Sequence, residues 1–196
     1  MIKQHAILHF KAQKLPDEHW LSGRFKERKM QKKVFQLLVD NTSGVLSRIS
    51  GLFSRRGYNI ESITAGVTAD PRFTRITIVA SGDDVILEQI EKQVAKLVDV
   101  RDIHELKPED SVYRELAMVK VRAAADDRQS ILATANIFRG NIVDVSPDSL
   151  IIEITGSQSK VDAFLRLLEG REILELARTG IAGLGRGTDN IIYLDE

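Results

Sequence analysis

A chain of 196 residues has room for one large domain or two small ones, and 43% hydrophobic with 29% charged residues is a globular, water-compatible composition. Lys+Arg and Asp+Glu balance at 28 each, so no global field draws in nucleic acid or an anionic membrane, and no apolar run approaches the roughly 18–20 residues that span a bilayer. Cysteine is absent, which excludes disulfides, thiolate metal sites and a thiol nucleophile, and a cytoplasmic location is the default expectation.

Residues 1–29 scatter their apolar side chains without a sustained period and carry many bases. They lack the uninterrupted apolar centre and small-residue cleavage site of a secretory signal. His5 and His9 stand four apart, but no third metal ligand accompanies them; Trp20 and Phe25 read as packing residues. This segment is taken as an N-terminal extension of unknown role.

From Met30 onward the pattern becomes regular. Lys33–Asp40 alternates, with Phe35, Leu37 and Val39 on one face of a strand. Asn41-Thr42-Ser43 turns the chain and supplies candidate helix caps, and Gly44 leaves room for a close approach to the backbone. Val45, Leu46, Ile49, Leu52 and Phe53 form one stripe of a helix over about 45–56, which Gly57 ends. Such a helix start presents N–H donors and is a seat for a carboxylate or phosphate. Strands follow near 58–68 and 74–81, separated by a turn at Asp70-Pro71. Ser81-Gly82-Asp83-Asp84 opens a helix over about 84–97, and a fourth strand spans Val100–Leu106. Lys107–Asp110 reads as a polar linker.

The plan then repeats from Arg114. A strand through Ala117, Val119 and Val121 precedes a helix at about 127–139, whose end, Phe138-Arg139-Gly140-Asn141-Ile142, echoes Arg56-Gly57-Tyr58-Asn59-Ile60. Pro147-Asp148 matches Asp70-Pro71 in place. A strand through Leu150, Ile152 and Ile154, a helix capped at Ser159-x-x-Asp162, and a strand at Ile173–Ala177 complete the second β-α-β-β-α-β unit. Gly183-Leu-Gly-Arg-Gly187 lacks the preceding strand and following lysine of a phosphate loop, and reads as a flexible tail. The fold class is therefore α+β, two tandem ferredoxin-like βαββαβ domains at 30–107 and 111–180, with 1–29 and 181–196 outside them.

Each unit of that kind leaves one sheet face and its edge strands uncovered, and about 75 residues make a marginal core. A homodimer with the first halves side by side answers both needs.

The string Asn41-Thr-Ser-Gly-Val-Leu-Ser-Arg-Ile-Ser-Gly-Leu-Phe-Ser-Arg-Arg-Gly-Tyr-Asn-Ile-Glu-Ser-Ile63, with the repeated second half, closely resembles the regulatory small subunits of acetolactate synthase. The likeness runs from about Met30 to Gly187. It implies that the first half is an ACT domain, a small-molecule-sensing module. It also implies a non-catalytic chain that activates a separate catalytic large subunit and confers feedback inhibition by valine. Thiamine diphosphate, Mg and FAD would belong to that catalytic subunit, with no cofactor or metal in this chain. The resemblance makes Asn41, Gly44 and Asn59 central to valine sensitivity, and brings Gly44 of one subunit close to Asn59 of the other.

At such a site the N–H groups of Gly44, Val45 and Leu46 suit a carboxylate. The Asn41 side-chain oxygen or a carbonyl near Asn59-Ile60 suits an ammonium, and Leu46 and Ile60 suit an aliphatic side chain. An alternative within the same fold is a stand-alone amino-acid sensor acting on a different enzyme. An acylphosphatase-like hydrolase needs a phosphate loop with a positioned arginine, which is missing. An RNA-binding module needs stacked aromatics on its central strands, and Ile76–Ser81 and Leu150–Thr155 have none. His104, in the fourth strand, reads as packing or surface.

Overall fold

The computed structural model describes residues 30–188; His5, His9, Trp20 and Phe25, singled out above, lie outside the described residues, as do 189–196. The first unit runs β1 (Gln31–Asp40), α1 (Val45–Arg56), β2 (Asn59–Val67), β3 (Phe73–Gly82), α2 (Asp84–Val94) and β4 (Val100–Leu106). The second runs β5 (Ser111–Arg122), α3 (Ala125–Ile137), β6 (Asn141–Val145), β7 (Ser149–Gly156), α4 (Gln158–Leu167), β8 (Ile173–Arg178) and a further strand, β9 (Ala182–Gly185). Both units have the order β-α-β-β-α-β. The sheets are ordered β2-β3-β1-β4 and β6-β7-β5-β8, with antiparallel neighbours.

The alternation read from the sequence decides which face each strand buries. Phe35, Leu37, Val39, Ile76 and Ile78 form one core with Ile49, Phe53, Leu87 and Ile90 of the two helices. Val119, Val121, Ile152 and Ile154 do the same with Ile131, Val161 and Phe164 in the second unit. Gly57 ends α1 in the left-handed conformation that favours glycine (φ 67°). Asp83 caps α2, its carboxylate accepting from the Ile86 N–H at 2.8 Å.

Helix α2 ends at Val94, three residues short of the expected 97, and three further elements differ from expectation. Helix α3 begins at Ala125, two residues early, with Ala124 at the N-cap and no side-chain cap bond. Helix α4 is capped by Ser157, whose hydroxyl accepts from the Lys160 N–H, and not by Ser159. That leaves Asp162 free to accept from Arg178 at 2.9 Å.

The largest correction concerns the glycine-rich stretch read as a flexible tail. Over Ala182–Gly185 it is strand β9, paired antiparallel with the first four residues of β5, Ser111–Arg114. Strand β5 accordingly starts at Ser111, three residues ahead of Arg114, where the repeat becomes visible in the sequence. This ribbon lies on the open face of the first sheet. Gln36, from β1, donates from Nε2 to the Gly183 carbonyl at 2.7 Å, and Thr64 Oγ1 donates to the Thr179 carbonyl at 2.9 Å. Side chains would crowd the crossing: a Cβ on Gly183 would stand 2.7 Å from Leu106 Cδ1, and one on Gly180, where φ is 81°, would stand 2.8 Å from Ser62 Cβ. The face expected to be bare thus buries Gln36, Thr77 and Val79 beneath the chain's own ribbon. Arg178, just before the crossing, is clamped by the buried Glu115 through two 2.7 Å hydrogen bonds. That carboxylate, with Asp162, holds its guanidinium more firmly charged than an ordinary arginine.

Candidate effector site at the start of the first helix

The turn from β1 into α1 is fixed by its backbone first. The Asp40 N–H donates to the Asp99 carbonyl at 2.9 Å, and the Asn41 N–H donates to the Arg72 carbonyl at 2.7 Å. The Asn41 side chain completes the brace: Nδ2 donates to the Pro71 carbonyl at 2.9 Å, and Oδ1 accepts from Thr74 Oγ1 at 3.1 Å. Asn41 therefore ties the loop to the β2–β3 turn and does not cap the helix. Neither Thr42 nor Ser43 caps it; the N-cap position is Gly44, with φ 85° and no side-chain cap bond.

This geometry leaves the helix start open. The N–H groups of Gly44, Val45 and Leu46 have no hydrogen-bond partner among the described residues. In an ordinary capped helix a serine, threonine or aspartate would occupy that place. Val45 sends its side chain into the core, so it offers the site only its N–H, while Leu46 stands exposed beside the turn.

Arg48, one turn along, folds back over this start. Its Nε and Nη2 donate to the two Asp99 oxygens at 2.6 and 2.7 Å, and its Nη1 lies 3.0 Å from where a Gly44 Cβ would be. The missing glycine side chain thus makes room for a guanidinium. The Asp99 carboxyl is held below its ordinary range, first by its hydrogen bonds to Arg48. Next to it, Arg101 grips Asp40 with bonds of 2.7 and 2.5 Å. The helix N-terminus is framed by two arginines whose charge is shared with carboxylates. Both of these arginines are paired with a carboxylate, so neither is a free cation at its mouth.

Asn59 and Ile60 stand elsewhere. They open β2, just past the C-terminal end of α1, and a helix of 12 residues is about 18 Å long. Asn59 is exposed and its Nδ2 donates to Ser81 Oγ at 3.2 Å, while Ile60 packs against the first core. Within one chain, the structure brings Asn41, Gly44, Val45 and Leu46 together at one end of α1. Asn59 and Ile60 lie at the other. Sequence reasoning missed Arg48, Asp99, Arg72 and Thr74. Arg48 alone carried a local signal, its place four residues after Gly44.

Comparison with known proteins decides the family. Residues 35–102 match the model of the AHAS small subunit-like ACT domain, and residues 114–187 match that of the small subunit of acetolactate synthase. The chain belongs to the acetolactate synthase small-subunit family. It is 52% identical over 156 residues to a probable acetolactate synthase small subunit of Methanothermobacter thermautotrophicus, covering 79% of this chain and 93% of that one. It is 45% identical to the isozyme 3 small subunit of Escherichia coli, over 80% of this chain and 96% of that one. A crystal structure of the acetolactate synthase small subunit from Thermotoga maritima superposes with a TM-score of 0.75 at 45% identity, covering 81% of this chain and 99% of that chain. As a member of that family the chain is a regulatory, ACT-domain subunit of acetolactate synthase in branched-chain amino acid biosynthesis.

Proposed function

We propose that this small subunit senses valine at the start of α1, in a cleft completed by a second copy, and passes that signal to the catalytic large subunit, which it also activates. The observation that carries the reading is the uncapped first turn. The free N–H groups of Gly44, Val45 and Leu46 suit an amino-acid carboxylate, and the helix dipole favours its charge.

Strand direction supports the role of a second copy. β1 and β2 both run antiparallel to β3, so they run parallel to each other. The end of β2 at Val67 therefore lies at the same edge of the sheet as the Gly44 turn. β2 is an edge strand with open backbone groups. Antiparallel pairing of β2 with its copy, centred on Ile63, sets Asn59 of the second copy opposite Val67. That is the end where Gly44 stands. A gap that cannot close within one chain closes between two. Asn59 would then face the ligand's polar end, and Leu46 and Ile60 would line its aliphatic part.

Control follows as a shift between dimer arrangements, with the ligand favouring the one in which the cleft is closed. The β5–β9 ribbon, lying on the first sheet and belonging to the second, offers the connection from the effector end to the rest of the subunit. The test is calorimetric titration of the full chain with valine, leucine and isoleucine, alongside inhibition of the reconstituted complex. Saturable valine binding that tracks inhibition is expected; inhibition without binding to this chain would overturn the reading.

A further inference from the structure

The open face of the first sheet carries a second set of polar groups that the effector site does not use. Pair registers order this face in rows. Thr77, Gln36 and His104 lie side by side across β3, β1 and β4, and Arg75, Leu38 and Asp102 form the next row. Where β9 leaves the face, Gln36, Arg75, His104 and Arg186 line a cavity of about 350 Å³ together with Leu184, Gly185 and Gly187.

Two features of this cavity point to a ligand. Neither Arg75 nor Arg186 pairs with a carboxylate among the described residues, although most other arginines around the first unit do. His104 Nε2 is sealed from solvent with no hydrogen-bond partner, which is costly for a polar atom. Its other nitrogen is 2.9 Å from Asp102 Oδ2; in the neutral imidazole, Nδ1 donating to that carboxylate leaves Nε2 with a lone pair. Gln36 spends one of its two amide N–H groups on Gly183. The cavity thus combines two guanidinium donors with a buried acceptor.

We infer that this cavity binds a small oxyanion bearing an adjacent O–H or N–H donor: anionic oxygens on Arg75 and Arg186, the donor on His104 Nε2. Hydrogen phosphate and an α-hydroxy carboxylate share that chemistry. The site is separate from the Gly44 turn, though Thr74, which braces Asn41, immediately precedes Arg75 on β3.

The test is titration of the full chain with inorganic phosphate, glycolate and acetate, read at the imidazole nitrogens by NMR, with the His104 signal identified by its loss in His104→Gln. Saturable shifts of that signal with phosphate or glycolate are expected, the stronger of the two naming the class. Weakening by about tenfold or more is expected in both Arg75→Gln and Arg186→Gln. No saturable shift with either probe, shifts indifferent to both arginine substitutions, or acetate binding as tightly as glycolate would overturn the inference. None of these results depends on valine binding at Gly44.

Discussion

Arg48 and Asp99 are 51 positions apart in sequence and joined by two hydrogen bonds of 2.6 and 2.7 Å, which pin the first turn of α1 to the start of β4. The pair holds the Gly44 turn in place alongside the Asn41 brace. Its partners are part-exposed, so its worth lies in positioning more than in bulk stability.

That pair has a defined pH signature. The Asp99 carboxyl is depressed below its ordinary value of 3.8, so its contribution is fully present above that value and is lost as pH falls through the lower folded-state value. The melting temperature of Asp99→Asn should therefore lie below that of the wild type at neutral pH, and the difference should shrink below about pH 4. Thermal unfolding of both proteins across pH 2–7 measures it. Asp70 and Glu172, depressed by Arg72 and Arg122, keep their own acid sensitivity in both proteins and cancel in the difference.

Gly44 is constrained twice, by its φ of 85° and by the Arg48 guanidinium 3.0 Å from its Cβ position. Gly44→Ala should cost about 1–2 kcal/mol in stability from the left-handed backbone alone. It should also push Arg48 off Asp99. Denaturant unfolding gives the first quantity. Valine titration gives the second as a loss of affinity, with activation of the catalytic subunit largely intact.

The β9 ribbon should be worth more than its four residues suggest. A chain ending at Gly180 loses the burial of Ile181, only 6% exposed, and uncovers Val79 and Leu106 beneath it. For Ile181 alone the loss is about 1.5–3 kcal/mol. Denaturant unfolding of the shortened chain against the full one checks this; unchanged stability would show that the ribbon merely rests on the sheet.

Edge pairing through β2 makes a separate claim about assembly. Ile63 is the middle residue of β2 and is 39% exposed. Ile63→Asp would set two carboxylates opposite each other at the two-fold axis, where like charges repel. Sedimentation should show a monomer, with valine binding lost as well; an intact dimer would rule out pairing through this strand.

Much of the fold was legible because it is written in local periods. The alternation of Phe35, Leu37 and Val39 and the stripe Val45, Leu46, Ile49, Leu52, Phe53 report burial directly, and all but Leu46, which stands 50% exposed, are buried as those patterns require. The repeat of the whole plan fixed the second unit even where α3 began two residues early. What remained hidden depends on distant pairings. Ala182–Gly185 has small residues and no alternation, so only its contact with β5 and Gln36 makes it a strand. Asn41 looks like a cap because that is what asparagine before a helix usually does. The neighbouring β2–β3 turn claims both of its polar atoms first. Arg48 and Arg128 hold the fourth position of α1 and α3 alike, yet one meets a carboxylate and the other the carbonyls of Ala123, Ser146 and Pro147. The position repeats, but the partner does not, and no period encodes it.

The most direct test of a cleft shared between copies is complementation in mixed dimers. Gly44→Asp and Asn59→His each remove one half of the cleft, so neither protein alone should bind valine. Unfolded, mixed and refolded together, they should form heterodimers in which the intact Gly44 of one chain meets the intact Asn59 of the other. Calorimetry should then recover one valine site per heterodimer with wild-type affinity. If the mixture binds no valine while both variants remain folded and dimeric, Gly44 and Asn59 do not meet across the dimer.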